Sequence, residues 1–340
     1  MVNDLSGTRS TKALLLTRLR ALAGERVSGE RLAADIGLSR VAVWKAAESL
    51  RAAGYSIEAD EHGYRLDPSA GDDFLFPWEF GAREGRVRHW TETSSTMDRA
   101  REMADRGGGA GLVLVAERQS AGRGRAGRAW ESVDGGLFFT LLLPGGQPIQ
   151  RYARTGMAVQ LAVAAALERL LGESVSLRWP NDVYLDGRKL AGVLTELRGE
   201  TDRVSWIAVG VGININNPLS SVRAVSCREI AGHPLSRRAV LSRILDEFEC
   251  GRLRGAEGGV LVEAWNSVAE GIGERVLLAD AVRGAPSVTK TGMDPILRTA
   301  GVFRGIDAYG RALLEVGSGI IEIEAGLASL KFEQELKDTP

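Results

Sequence analysis

Residues 175–197, VSLRWPNDVYLDGRKLAGVLTEL, read as a strand, a turn at Asp186–Gly187 and a second strand. Asp-Gly between two apolar runs is the strongest short-range hairpin signal, because the turn needs positive φ and glycine supplies it without steric cost. This hairpin decides between two architectures. Residues 85–217 alternate strands with helices, a pattern that by itself suits a doubly wound parallel sheet or an α+β fold. A hairpin inside the alternation selects α+β with a largely antiparallel or mixed sheet.

The surrounding segments complete that domain. TMDRAREMADRG is a helix behind a Ser95–Thr96 cap; GLVLVAERQ and GGLFFTLLLP are buried strands; VSWIAVGVGININ is another. RYARTGMAVQLAVAAALERLLG is nearly all apolar and reads as a central core helix. Upstream, residues 11–53 predict three short helices. TKALLLTRLRAL carries Leu14, Leu15, Leu19 and Leu22 at helical spacing. SGERLAADIG opens on Ser28 and stops at Gly37, and the third helix begins on Ser39 with Val41, Trp44, Ala47 and Leu50 as its apolar stripe. Three or four residues between the last two helices is helix-turn-helix spacing, and YSIEADEHGYRL follows as a wing. From residue 271, short Gly-punctuated strands (ERVLLA, AGVFRGIDAYGRALLEV, IIEIEAG) suggest a small barrel. The expected organisation is a winged helix-turn-helix over 1–66, a linker over 67–84, a catalytic domain over 85–270 and a barrel over 271–332.

The chain has 340 residues, 44% hydrophobic and 26% charged, with a formal net charge of −1. Global basicity therefore does not advertise nucleic acid, and DNA contact must come from a local patch. Residues 1–66 hold ten Lys/Arg against eight Asp/Glu, a net of only +2. On the third helix Ser39, Arg40, Trp44 and Lys45 are the expected DNA-facing group. Arg18 and Arg20 interrupt the first apolar stretch, so no signal-peptide layout is present, and no run reaches the ~20 apolar residues that span a bilayer. No membrane partner and a cytoplasmic location are expected. Cys227 and Cys250 lack metal-ligand spacing and read as reduced bystanders.

QSAGRGRAGRAW, residues 119–130, packs three arginines and three glycines into positions 122–128. Gly122, Gly124 and Gly127 satisfy the spacing of a dinucleotide fingerprint, but no helix opens on the third glycine, so a Rossmann reading fails. Arginines on a permissive backbone suit an anion such as phosphate. RWPND, GRKLAGV and GVGININ accompany the loop, and glycine inside a strand often marks close approach to the backbone.

Together GRGRAGR, WPNDVYLDGRKLAGVLTE and GVGIN, in this order, resemble the biotin–protein ligase family in the larger form that doubles as the biotin operon repressor. The likeness covers about residues 11–332. It implies a biotin/lipoate ligase-like catalytic domain with a C-terminal SH3-like barrel. It implies ATP-dependent formation of biotinyl-5′-AMP, transfer of biotin to a lysine of a carboxyl carrier protein domain, and biotin-responsive repression through operator DNA by a ligand-promoted homodimer. ATP, biotin and Mg²⁺ are the implied cofactors, with no metal ligands assigned.

By the same resemblance Ser95, Thr96 and Gln119 hold the ureido ring, Met97 and Gly124 adjoin biotin, and Gly192 and Gly210 give backbone room. Arg123 and Arg125 belong to the loop that orders over ligand. Catalysis falls to Lys189, Asp182 and Arg125. Gly122, Trp130, Asn181 and Asn214 stand near the adenylate. Four positions depart from the family's usual residues: Met97 for a polar residue, Ala126 for an arginine, Arg178 for a lysine and Leu327 for an acid. Two rivals remain. A lipoate ligase shares the fold but has a different loop signature, and a ligand sensor without ligation would not need Lys189 and Asp182.

Overall fold

The computed structural model describes residues 9–70, 73–146, 149–200, 203–249, 258–279, 300–325 and 328–332. The chain divides into two compact units, Met1–His89 and Trp90–Pro340.

The first unit opens with helices α1 (Thr11–Ala21), α2 (Gly29–Ile36) and α3 (Arg40–Ala52), followed by the antiparallel hairpin of β1 (Ile57–Asp60) and β2 (Gly63–Leu66). A serine starts each helix: Ser10, Ser28 and Ser39 accept from the backbone N–H groups of Ala13, Arg31 and Ala42. Each cap satisfies a donor that the helix itself leaves unpaired. Gly37 ends α2 at φ +68°, so only three residues separate α2 from α3.

The helix faces are phased differently from expectation. In α1 the buried leucines are Leu15, Leu16 and Leu19, followed by Leu22 at its C-cap, with Leu14 half-buried. In α3 the packed residues are Val43, Ala46, Ala47 and Leu50, while Val41 is 62% and Trp44 55% exposed. The expected stripe of Val41 and Trp44 is thus corrected. Both stripes have helical spacing, and the small alanines won because they let α3 pack closely against α1 and α2. Part of the segment read as a linker is also packed. Leu75 is fully buried, and Phe74, Phe76 and Trp78 pack against the helical core. Phe74 lies 4.6 Å from the Tyr55 ring. The Glu79 carboxylate takes a bidentate bond from Arg20 at 2.6 and 2.9 Å. Pro, Gly and three acids had hidden the apolar content of FLFPW.

The second unit is built on a seven-stranded sheet. Its strands are β3 (Val87–Thr93), β4 (Leu112–Gln119), β5 (Leu137–Pro144), β6 (Ser176–Arg178), β7 (Asp182–Leu185), β8 (Arg188–Glu200) and β9 (Arg203–Ile213), in the order β3-β4-β5-β9-β8-β7-β6. All pairings from β4 to β6 are antiparallel. Helix α4 (Thr96–Asp105) packs near β4, β5 and β9, and α5 (Ile149–Leu171) covers the sheet with Ala158, Val159, Ala162, Val163, Ala166 and Leu167 buried. Helices α6 (Cys227–Ala231), α7 (Arg237–Glu249) and α8 (Gly258–Ser267) follow. This is the expected α+β domain. Residues 175–197 form three strands, not two: the β7–β8 turn is at Asp186–Gly187, both at positive φ, and a cis Trp179–Pro180 bond separates β6 from β7. Proline cannot donate to the ladder, so the apolar run breaks there.

Strands β10 (Arg275–Ala279), β11 (Ala300–Ile306), β12 (Ala312–Val316), β13 (Gly319–Ile323) and β14 (Ser329–Phe332) make a five-stranded antiparallel sheet in the order β13-β12-β11-β10-β14. Arg178 ties this sheet to β6: it pairs with Glu270 at 2.7 Å and stacks between the rings of Tyr184 (3.9 Å) and Phe332 (4.8 Å). Residues 281–295, Leu327 and Cys250 lie outside the described residues. Cys227 is a buried free thiol whose pKa burial pushes up to about 12. Among the described residues no helix is long and apolar enough to cross a membrane.

Candidate active site

The loop after β4 folds back on itself. Arg123 bridges Ala129 in antiparallel fashion, Gly124 N–H donates to Arg128 O at 2.7 Å, and Trp130 N–H to Gly122 O at 2.9 Å. Ala126 and Gly127 turn the tip at φ +53° and +72°. Glycine is required at 122, where a Cβ would stand 2.4 Å from Ser132 Oγ and 2.5 Å from Trp130 O.

The loop's inner side closes one wall of a pocket whose other walls come from α4 and from β7 to β9. Ser95, Thr96 and Met97 line it from the start of α4, and Gln119 from the end of β4. Arg123, Gly124, Arg125 and Trp130 line it from the loop. Asn181, Asp182, Lys189, Gly192 and Gly210 line it from the sheet. Gly122 and Asn214 are not in the lining. Gly122 faces Ser132, and Asn214 is buried behind the wall, its Nδ2 donating to Lys189 O at 3.5 Å. Arg128, Ala129, Val193, Leu194, Val211 and Gly212 also line the pocket. Of these, Arg128 carries a signal as the third arginine of GRGRAGR and Gly212 as the second glycine of GVG.

A run of polar groups fixes the α4 end. Thr140 Oγ1 donates to Thr96 Oγ1 at 2.8 Å, which in turn meets Gln119 Oε1 at 3.1 Å. Thr96 N–H donates to the same oxygen at 2.8 Å, and Gln119 Nε2 donates to Ser132 Oγ at 2.9 Å. Ser95 caps α4 by accepting from Met97 N–H. These bonds lock the rotamers of Thr96 and Gln119, as a site for a polar ring requires.

The floor is glycine. Gly192 faces Gly212 across β8 and β9, and Gly210 faces Leu194. The space that the missing side chains leave is filled by two side chains of the protein. A Cβ on Gly212 would lie 2.5 Å from Trp130 Nε1, one on Gly192 3.0 Å from the same indole, and one on Gly210 2.7 Å from Met97 Sδ. Trp130 Nε1 is buried there without a hydrogen-bond partner among the described residues.

The three expected cations each meet partners from the chain. Lys189 Nζ is 2.7 Å from Asp182 Oδ1 and 5.2 Å from the Trp130 ring centre. The approach is a charge contact and not a directed bond, since Asp182 Oδ1 has no well-aligned donor. Arg123 pairs with Asp98 at 2.6 Å, with Glu196 at 3.8 Å. Burial alone would raise the Asp98 carboxyl, but hydrogen bonds from Arg123 and Ser94 and the charges of Arg123 and Arg101 outweigh it, and the net shift is downward. Arg125 Nη2 reaches the C-terminal sheet region, donating to the carbonyls of Ala325 and, at 3.2 Å, Ala328. Asn181 holds β8 in register through Nδ2 to Val193 O at 2.8 Å. Asp98 and the two alanine carbonyls lie outside any motif, and Glu196, the last residue of WPNDVYLDGRKLAGVLTE, carries no expected role.

On the first unit, Ser39 caps α3 and is exposed, as are Arg40, Trp44 and Lys45.

Residues 90–214 match the Biotin/lipoate A/B protein ligase family, and residues 11–65 match an HTH domain. The chain is 33% identical over 332 residues to the bifunctional ligase/repressor BirA of Bacillus subtilis, covering 93% of this chain and 97% of that one. It is 30% identical over 227 residues to the biotin–[acetyl-CoA-carboxylase] ligase of Mycobacterium tuberculosis, covering 64% of this chain and 77% of that one. A biotin protein ligase from Aquifex aeolicus, solved with biotin and ATP, superposes with a TM-score of 0.58 at 30% identity, over 73% of this chain and 99% of that one.

Proposed function

The chain belongs to the biotin/lipoate A/B protein ligase family as a bifunctional ligase/repressor, and on that premise we propose how its own residues carry out the two tasks. It is an ATP-dependent biotin–protein ligase and a biotin-responsive transcriptional repressor. In the first half-reaction a biotin carboxylate oxygen attacks the α-phosphorus of ATP, and the bond to pyrophosphate breaks. In the second, the ε-amine of an acceptor lysine attacks the acyl carbon of biotinyl-5′-AMP and AMP leaves.

The observation that carries the residue assignment is one pocket lined by the Thr96–Gln119 polar pair, a glycine floor, and Lys189, Arg123 and Arg125. The ureido ring takes its hydrogen bonds from Ser95, Thr96 and Gln119. Its bicycle lies against Met97 and Trp130, the side chains that cover Gly210 and Gly192, beside Gly124. Joining two anions leaves the protein mainly positioning and charge stabilisation to supply. Lys189 supplies the compact cation at the transferring phosphoryl group. Asp182 holds Lys189 ready, and the poorly directed pair is readily exchanged for phosphate oxygens. Arg123 and Arg125 clamp the adenylate with Trp130 and Asn181 around it, while Gly122 shapes the loop from outside the pocket and Asn214 supports Lys189 from behind.

Among the described residues no group of three or more His, Cys, Asp or Glu could hold a metal. Mg²⁺ would enter with ATP, ligated by its phosphates. The C-terminal sheet is read as a small SH3-like barrel, and the chain as a winged helix over 1–66 whose core is completed by Phe74, Phe76 and Trp78, a catalytic domain over 85–270 and the barrel over 271–332. Ser39, Arg40, Trp44 and Lys45 face operator DNA in a ligand-promoted homodimer, and the protein works in the cytoplasm on a carboxyl carrier domain.

The test is exchange of labelled pyrophosphate into ATP, run with biotin and in parallel with lipoate. Exchange dependent on biotin supports the assignment. Exchange with lipoate only, or none with either, overturns it.

A further inference from the structure

The outer face of α3 keeps two large apolar side chains in water, Val41 at 62% and Trp44 at 55% exposure. They do nothing for the fold, because Val43, Ala46, Ala47 and Leu50 already make the packed face of the helix. At about 100° per residue, Arg40, Trp44, Val41 and Lys45 follow one another around α3 over an arc of about 140°. The indole and the valine therefore stand between two cations. Glu48 falls within the same arc two turns on, but its pairing with Arg51 at 2.8 Å adds a cation for the acid, so the net charge of this face remains that of Arg40 and Lys45.

The wing offers the opposite chemistry. Its tip carries Glu58, Asp60 and Glu61, all exposed; Arg26 pairs with Glu58 at 2.6 Å and with Asp60, and Arg65 with Glu58 at 3.5 Å, so three acids against two arginines leave the tip with a net charge of −1. A tip of this charge is repelled by phosphates. The face of this unit that suits a nucleic acid is α3, with cations at its margins and an apolar centre.

An apolar centre has one natural target on the base edges of the major groove: the C5 methyl of thymine. Valine has no donor or acceptor to spend on any other edge group. We propose that Val41 and Trp44 read thymine methyl groups in the major groove, with Arg40 and Lys45 on the phosphates to either side and the wing held off the backbone. This rests on the operator-binding reading given above and names which base that reading selects.

The experiment uses the full chain, supplied with biotin and ATP, to select duplexes from a randomised pool. Each thymidine of the selected site is then replaced singly by deoxyuridine, which pairs identically and lacks only the methyl. At one or two positions per half-site the wild-type protein loses about fourfold in affinity, the equivalent of burying one methyl. Val41→Ala or Trp44→Ala, with helical circular dichroism unchanged, removes that sensitivity while still binding. Arg40→Ala with Lys45→Ala weakens every duplex alike and flattens the salt dependence by about two phosphate contacts. If uracil is tolerated at every position, methyl reading is wrong while operator binding stands. If no duplex is enriched, operator binding itself fails, and the Val41–Trp44 face belongs to a protein contact.

Discussion

Replacing Lys189 by alanine should abolish most adenylate formation while leaving biotin binding nearly intact. Lys189 Nζ stands 2.7 Å from Asp182 Oδ1, with the two side chains 31% and 21% exposed, so their mutual stabilisation of the fold is at most about 1 kcal/mol. Folding should survive. Loss of a positioned donor at developing charge costs about 10²–10³ in rate. The structure adds a second component: without the lysine, the Asp182 carboxylate faces the incoming triphosphate uncompensated. Lys189→Ala with Asp182→Asn should therefore recover about tenfold over Lys189→Ala alone, or about 1.4 kcal/mol. Lys189→Arg should recover less than wild type, because a planar fork cannot follow a transferring group as a compact ammonium can. Single-turnover release of pyrophosphate measures the chemistry, and fluorescence of Trp130, which lies on the glycine floor, follows biotin binding. A single-turnover rate within threefold of wild type in Lys189→Ala would refute the role. So would a loss confined to biotin affinity.

Arg125→Ala should speed dissociation of biotinyl-AMP by roughly ten- to a hundredfold, the value of one charge-assisted bond, with biotin affinity changed less; an unchanged dissociation rate would remove it from the clamp. The Asp98 carboxyl is depressed in the folded protein, so its contribution is complete above the unfolded carboxyl pKa of about 3.9 and is lost as pH falls through the lower folded value. Asp98→Asn should accordingly reduce the melting temperature at neutral pH and flatten the acid limb of its pH dependence; equal slopes for mutant and wild type would contradict the Arg123–Asp98 pairing. Removing residues 1–86 should abolish DNA binding and leave a soluble ligase, whereas removing only 1–66 strands Leu75 and the aromatics of residues 74–78 without their core. Comparable solubility of the two truncations would show that this packing contributes little.

Much of the site was legible because its signals are local or depend on backbone needs. Serine caps at 28 and 39, the stop at Gly37 and the Asp186–Gly187 turn act within four residues of themselves, so they survive without knowledge of the rest of the chain. Glycines at 192 and 210 announce close approach because only a missing side chain permits it. What approaches them was not legible. Trp130 and Met97 reach that floor from other elements, and their arrival depends on how the loop and α4 settle on the sheet. The same holds for α3, where two apolar stripes had equal helical spacing. The shapes of α1 and α2 chose the one carrying Val43 and Ala46, and Trp44 was left in water. Arg125 is the extreme case: its carbonyl partners lie 200 and 203 residues further along the chain. Neither alanine differs in side chain from any other, since the bonds are to backbone oxygens. Such a contact leaves no mark in the order of residues and comes into being when the two sheets are brought together.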